Sequence, residues 1–142
     1  MVWIGVPILK KLLLSLLLMS LLFADDVEIE KNIYETIFLA LVKTEKPNVY
    51  SKDTIESLGL RPALFTQVYK CSQADIVVMT KSSIPKSCQD KVVVGTRYRH
   101  LRKPYVYGAF FWQKGRPNIL FKRTKLKENN IVLTSKLIDY ME

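Results

Sequence analysis

The chain has 142 residues, with 22 Lys and Arg against 13 Asp and Glu, a formal charge of +9, two cysteines and one histidine. That length builds one domain with a real hydrophobic core and is short for two. A composition of 49% apolar and 25% charged residues excludes a disordered chain, a collagen-like one and a disulfide-dense miniprotein.

Leu12–Ala24 (LLLSLLLMSLLFA) is an apolar run preceded by Lys10 and Lys11 and followed at once by Asp25 and Asp26. Positive charge, a short apolar segment and Ala before an acidic start are the ordered parts of a secretory signal peptide. The competing reading is a membrane anchor. A spanning helix needs about 20 apolar residues, and extending this one back to Val2 places two lysines mid-span at roughly 2.5–3.5 kcal/mol each. The expectation is an exported, periplasmic chain that loses residues 1–24 and keeps a single domain over 25–142, with its charge reduced to +7 by the loss of Lys10 and Lys11. Export permits disulfides and argues against nucleic acid as a partner.

From Glu28 to Thr44 the apolar residues Ile29, Ile33, Ile37, Phe38 and Leu41 recur at helical spacing, and Pro47 marks the end. Asn48–Ser51 suits a first strand. Ser51 or Asp53 caps a second helix through Leu58, closed by Gly59. Phe65–Tyr69 is a β-rich segment. Ile76–Thr80 and Val92–Thr96 are continuous β-branched runs, the pattern of strands covered on both faces in a parallel sheet. Val106–Gln113 and Asn118–Lys122 flank Lys114-Gly115-Arg116-Pro117, which predicts a β-hairpin with a four-residue turn. Alternation along Val106–Gln113 predicts that about half of it is buried. Thr124–Asn130 and Thr134–Met141 read as two short helices.

The order of elements predicts a small Rossmann-like three-layer α/β domain with a mostly parallel sheet and a C-terminal β-hairpin plus helix. One tension stands out. Only Lys70–Asp75 separates the second strand from the third, whereas a parallel crossover takes about a dozen residues. The second strand is therefore either a short edge strand or antiparallel.

Cys71 and Cys88 each precede a predicted parallel strand, which places both at one edge of the sheet. In an exported chain an even cysteine count favours a disulfide, with free thiols as the alternative. A bridge here stabilises by about 3 kcal/mol in the chain-entropy estimate. A metal pair or redox centre lacks ligands, with no CxxC and a single distant His.

Eleven basic residues and no acidic one lie between Lys91 and Lys127, interleaved with aromatics. In a cytosolic protein this pattern suggests nucleic-acid binding. In an exported one it points to an acidic protein surface, anionic lipid or an anionic ligand, against the bland reading of a solvated face over a core of alternate aromatics. Trp112, Lys114 and Arg116 at the hairpin, with Arg97, Arg99 and Arg102 beside them, are the expected partner-binding residues. A second candidate site follows from topology, since open α/β sheets bind ligands beyond the carboxyl ends of their strands. Those ends carry Ser51, Lys52 and Asp53, then Lys81, Ser82 and Ser83, then Thr96, Arg97 and Tyr98. Ser82, Ser83 and Arg97 would serve a small anion. His100 lies within RYRHLRK, where neighbouring cations disfavour its charged form, and reads as a solvated surface residue. No catalytic set, metal or cofactor is expected.

Gly115–Met141 resembles the C-terminal end of the YfiR-like family of small periplasmic proteins, with Ile131, Leu133, Ser135, Leu137 and Ile138 matching its closing pattern. Tyr34–Phe38 before Pro47, Val49-Tyr50 and Ala74–Met79 follow the same order of elements. The chain departs from that pattern in lacking a Trp-Pro near Pro47 and in having two cysteines only. The resemblance implies a Rossmann-type α/β domain. It also implies a non-enzymatic regulator that docks on the periplasmic part of a membrane-bound signalling protein, a diguanylate cyclase or a sensor kinase. The alternative function is a periplasmic small-anion-binding protein.

Overall fold

Residues 26–41 form helix α1, which buries Tyr34, Ile37, Phe38 and Leu41 and turns Asn32, Thr36 and Leu39 outward. This is the amphipathic stripe that the sequence spacing predicts. The computed structural model describes residues 26–53, 55, 65–135 and 137. The expected signal peptide over 1–24 and most of the expected helix through Leu58 lie outside the described residues; of its two cap candidates, Ser51 ends a strand and Asp53 lies in the bend after it.

Strands β1 (Asn48–Ser51), β2 (Thr66–Val68), β3 (Ile76–Met79), β4 (Val92–Gly95), β5 (Val106–Gln113) and β6 (Arg116–Phe121) form one sheet in the order β2-β1-β3-β4-β5-β6. All neighbours are parallel except β5 and β6, which pair antiparallel as the C-terminal hairpin. Helix α2 (Arg123–Glu128) follows. The protein is a small α/β domain with a mostly parallel sheet.

The short link between β2 and β3 is accommodated because β2 is a three-residue edge strand and β1 lies between the two. Val68 pairs with Tyr50 and Ile76 with Val49, so the link ends almost level with where it began. It crosses β1 through a 3-10 turn at Cys71–Gln73. Asp75 then locks it twice: its backbone N–H donates to the Asn48 carbonyl at 2.8 Å, and its carboxylate accepts the Asn48 N–H at 2.8 Å.

The two faces of the sheet are covered differently among the described residues. Val49, Ile76, Val78, Val94 and Phe110 pack beneath α1 and Leu126 of α2. Val77, Met79, Val93, Val106 and Ala109 pack beneath Cys71, Cys88 and Leu101, which sit on three 3-10 segments. Cys71 and Cys88 form a disulfide with Cα atoms 5.2 Å apart, tying the two turns that precede β3 and β4.

Two expectations are corrected in the hairpin. The turn has two residues, not four: Lys114 and Gly115 have φ of 52° and 73°, and Gln113 pairs directly with Arg116. Positive φ at both central positions is the turn type whose twist suits a tight hairpin. Arg116 and Pro117 therefore begin β6, where an edge strand tolerates the missing N–H of proline. Nor is only half of β5 buried. Val106–Phe111 is buried throughout, because β5 is an interior strand covered on both faces. A register shift opposite Val93 and Val94 puts Tyr107 on the α-helical side as well. At Gly108 a Cβ would meet the Phe121 ring at 2.7 Å and the Leu120 carbonyl oxygen at 2.8 Å, so this close approach requires glycine.

After α2 the chain continues without regular structure through residues 131–135, burying Leu133 and Leu137 against the core. Most of the helix expected over Thr134–Met141 lies outside the described residues.

Candidate functional site

The strand order reverses between β1 and β3, the point at which open α/β sheets form a crevice at their carboxyl ends. Asp53, two residues past β1, and Thr80, one past β3, meet there: the Thr80 hydroxyl donates to Asp53 Oδ2 at 2.8 Å. The Ser51 hydroxyl donates to the Asp53 carbonyl at 2.7 Å, and Lys81 Nζ stands 3.6 Å from Asp53 Oδ2. The Thr80 hydrogen bond, more than the lysines nearby, holds the Asp53 carboxyl below its ordinary range. One strand further, the Thr96 hydroxyl donates to the Met79 carbonyl at 2.9 Å.

Beside these threonines is a cavity of about 250 Å³ between α1 and the end of β5. Thr80 and Thr96 line it from the strand ends, Glu30 and Tyr34 from α1, and Phe110 and Trp112 from β5. Glu30 and Tyr34 are one helical turn apart and so face the same way. The Trp112 indole Nε1 donates to Glu30 Oε2 at 2.8 Å and joins helix to strand. Phe110 meets Tyr34 edge-on at 5.1 Å and Trp112 edge-on at 6.0 Å, so three rings at steep angles form a corner. Burial, with the Glu30 carboxylate near it, pushes the Tyr34 phenol up, and it keeps its proton.

His100 corrects a sequence expectation. It is 1% exposed, not solvated. Its Nδ1 accepts the Thr96 N–H at 3.0 Å, which puts the ring proton on Nε2. Nε2 is buried and has no hydrogen-bond partner among the described residues. Burial first, then Arg97 and Arg99, hold its pKa below the ordinary value. The imidazole thus works as a neutral strut under the end of β4.

The expected partner-binding residues fall into one track with a separate anchor. Lys114 and Arg116 are exposed at the hairpin tip. Arg97 is exposed just past β4, and the Tyr98 ring packs on Phe111 at 5.7 Å, which brings this segment beside the outer half of β5. Arg99 and Arg102 are exposed three residues apart on the 3-10 segment Tyr98–Arg102, so they share a side and lead back along the domain. Trp112 differs from these cations. It is 38% exposed, but its indole is fastened to Glu30 and walls the cavity.

Ser82 and Ser83 are exposed on the loop after β3 and, with Arg97, do not belong to the described lining of the cavity. Glu30 and Thr80, which do, are not conspicuous in the sequence. The only local hint is that Thr80 ends an apolar run at the edge where open α/β sheets in general bind ligands. Among the described residues, no group of three or more His, Cys, Asp or Glu could hold a metal ion, and no helix is long and apolar enough to cross a membrane. Comparisons with protein-family models, curated proteins and solved structures find no match to this chain.

Proposed function

We propose that this chain is an exported, non-enzymatic regulatory module, freed of residues 1–24. Its basic track docks on the periplasmic part of a membrane-bound signalling protein, a diguanylate cyclase or sensor kinase. The observation that carries the reading is the placement of cations. Arg97, Lys114 and Arg116 are exposed at one end of the sheet, with Arg99 and Arg102 leading away from them, in a stretch from Lys91 to Lys127 that contains no acidic residue. A surface rich in cations steers encounter with an acidic partner and disfavours basic ones. The Cys71–Cys88 disulfide suits an oxidising compartment, and the C-terminal resemblance to the YfiR-like family supports the class of partner.

The test is capture from solubilised membranes by the wild-type chain and by Lys114→Glu/Arg116→Glu, followed by titration with the periplasmic domain of whatever is recovered. The expected result is a membrane signalling protein bound in a salt-sensitive manner by wild type and lost in the charge-reversed variant. Equal recovery by both variants removes the hairpin from the interface.

A further inference from the structure

We propose that the β5–β6 hairpin is a projecting arm and that Lys114, at its tip, is the residue that anchors the chain in an acidic recess of a protein partner. This rests on the docking reading above and deepens it, by naming the anchor and the shape and charge of what receives it.

The arm follows from register. β4 pairs with β5 as far as Gly95 and Ala109, whereas β5 runs on to Gln113 with β6 as its strand partner. Four further residues carry the hairpin about 13 Å past the end of the β4 pairing. Gln113, Lys114, Gly115, Arg116 and Pro117 are all exposed. The arm is also stiff. Trp112 pairs with Pro117 and Gln113 with Arg116, the Trp112 indole is fastened to α1, and the Asn118 amide donates to the Arg116 carbonyl at 3.1 Å. A stiff arm loses little conformational freedom when it docks.

Backbone conformation singles out Lys114. Two described residues other than glycine have positive φ: Asn130 at 55° and Lys114 at 52°. Asn130 follows α2, where asparagine is a usual substitute for glycine. Lys114 holds the first central position of a two-residue turn, where Asn, Asp and Gly prevail because a β-carbon there crowds the following carbonyl oxygen. Lysine lacks the short polar side chain that compensates Asn and Asp. Its side chain is exposed and makes no hydrogen bond or ion pair with the described residues, so nothing in the described fold offsets the strain. Strain kept at an exposed tip points to a role outside the fold, and the ammonium it presents is a compact point charge.

Shape favours a protein over a lipid surface. A flat anionic membrane meets a narrow projecting tip at Lys114 and Arg116, fewer cations than the roughly four to eight that lipid recognition uses. Arg97, Arg99 and Arg102 stand back on and beside the 3-10 segment. A recess surrounds the tip instead. Its carboxylates pair with the Lys114 ammonium away from water, while its rim meets the arginines behind.

The test titrates the full-length chain with poly-L-glutamate, a flexible acidic polypeptide whose carboxylates can close around the tip, and with phosphatidylglycerol vesicles as the lipid probe. Melting temperatures are measured in parallel. Lys114→Asn removes the charge and relieves the turn. It is expected to raise the melting temperature by about 2–5 °C and to weaken poly-L-glutamate binding at least about 5-fold. Lys114→Arg keeps both charge and strain and is expected to match wild type in both readouts. Lys127→Gln, an equal loss of charge on the exposed side of α2, is expected to change binding less than about 2-fold. The proposal is overturned if Lys114→Asn is no more stable than wild type, binds poly-L-glutamate as wild type does, or loses vesicle binding alone. Failure of wild type to bind poly-L-glutamate takes the docking reading down as well, whereas equal binding by wild type and Lys114→Asn removes the anchor and leaves that reading standing.

Discussion

The Cβ of His100 occupies the space in which a side chain on Gly95 would begin: a Cβ built on Gly95 falls 2.6 Å from it. The obstructing atom is fixed to the backbone of the 3-10 segment, so it cannot swing aside as a side-chain tip could. Gly95→Ala must therefore push that segment off β4 or bend the strand. The expected cost is about 1–3 kcal/mol, the range for overpacking a filled core. Gly115→Ala is the comparison: its Cβ meets nothing within 4 Å, and only the φ of +73° opposes it, at about 1–2 kcal/mol. Urea midpoints for the two variants test the order.

His100 also makes stability depend on pH. Its folded pKa is lowered by burial and by Arg97 and Arg99, so as pH falls the unfolded chain takes up the proton first. The contribution of this residue is complete above the ordinary histidine value of about 6.5. It declines as pH drops from there toward the folded pKa. Protonation at Nδ1 also sacrifices the hydrogen bond from Thr96. His100→Asn offers an oxygen to the same N–H without titrating. The expected outcome is a melting temperature that falls between pH 7 and pH 5 in wild type (about the span of the histidine titration) and falls less in the variant.

Removing the disulfide by Cys71→Ser/Cys88→Ser, or by reduction, is expected to cost about 3 kcal/mol. The bridge spans a sequence separation of 17 and joins two turns on the same face. Denaturant midpoints with and without reductant measure it, and the serine variant should show no dependence on reductant.

Asp75 secures the β2–β3 link to Asn48 through both its backbone and its carboxylate. Asp75→Ala leaves the Asn48 N–H without its acceptor, at an expected cost of about 1–3 kcal/mol. Asp75→Asn retains an acceptor oxygen and is expected to lose less. Amide exchange at Asn48, faster in the alanine variant, gives a local reading that global unfolding does not.

The strands at Ile76–Met79 and Val92–Gly95 are legible from sequence because strands buried on both faces need unbroken apolar runs. The hairpin is legible too, but not its register. Arg116 and Pro117 look like turn residues, and only their pairing with Gln113 and Trp112 shows that the strand has already begun. His100 is misread for a related reason. Its neighbours in sequence are cations, whereas its burial depends on the gap at Gly95 and on the Thr96 N–H, and apolar periodicity carries no trace of either. The cavity is the least legible feature. Glu30 and Trp112 stand 82 residues apart, and neither residue type announces the other. Topology alone points to the end of the sheet where this cavity lies, and there it names Asp53 and Thr96 but passes over Thr80.

The outermost strands carry a last consequence. On one side β2 is three residues long, too short to template a neighbour. On the other, β6 opens with Arg116 and Pro117, a charge and a residue without an N–H, and Lys122 follows it. Short strands, charges and proline are the devices that stop sheets from adding foreign strands. Among the described residues both outermost strands are built to end the sheet, so copies of this chain should not zip together edge to edge.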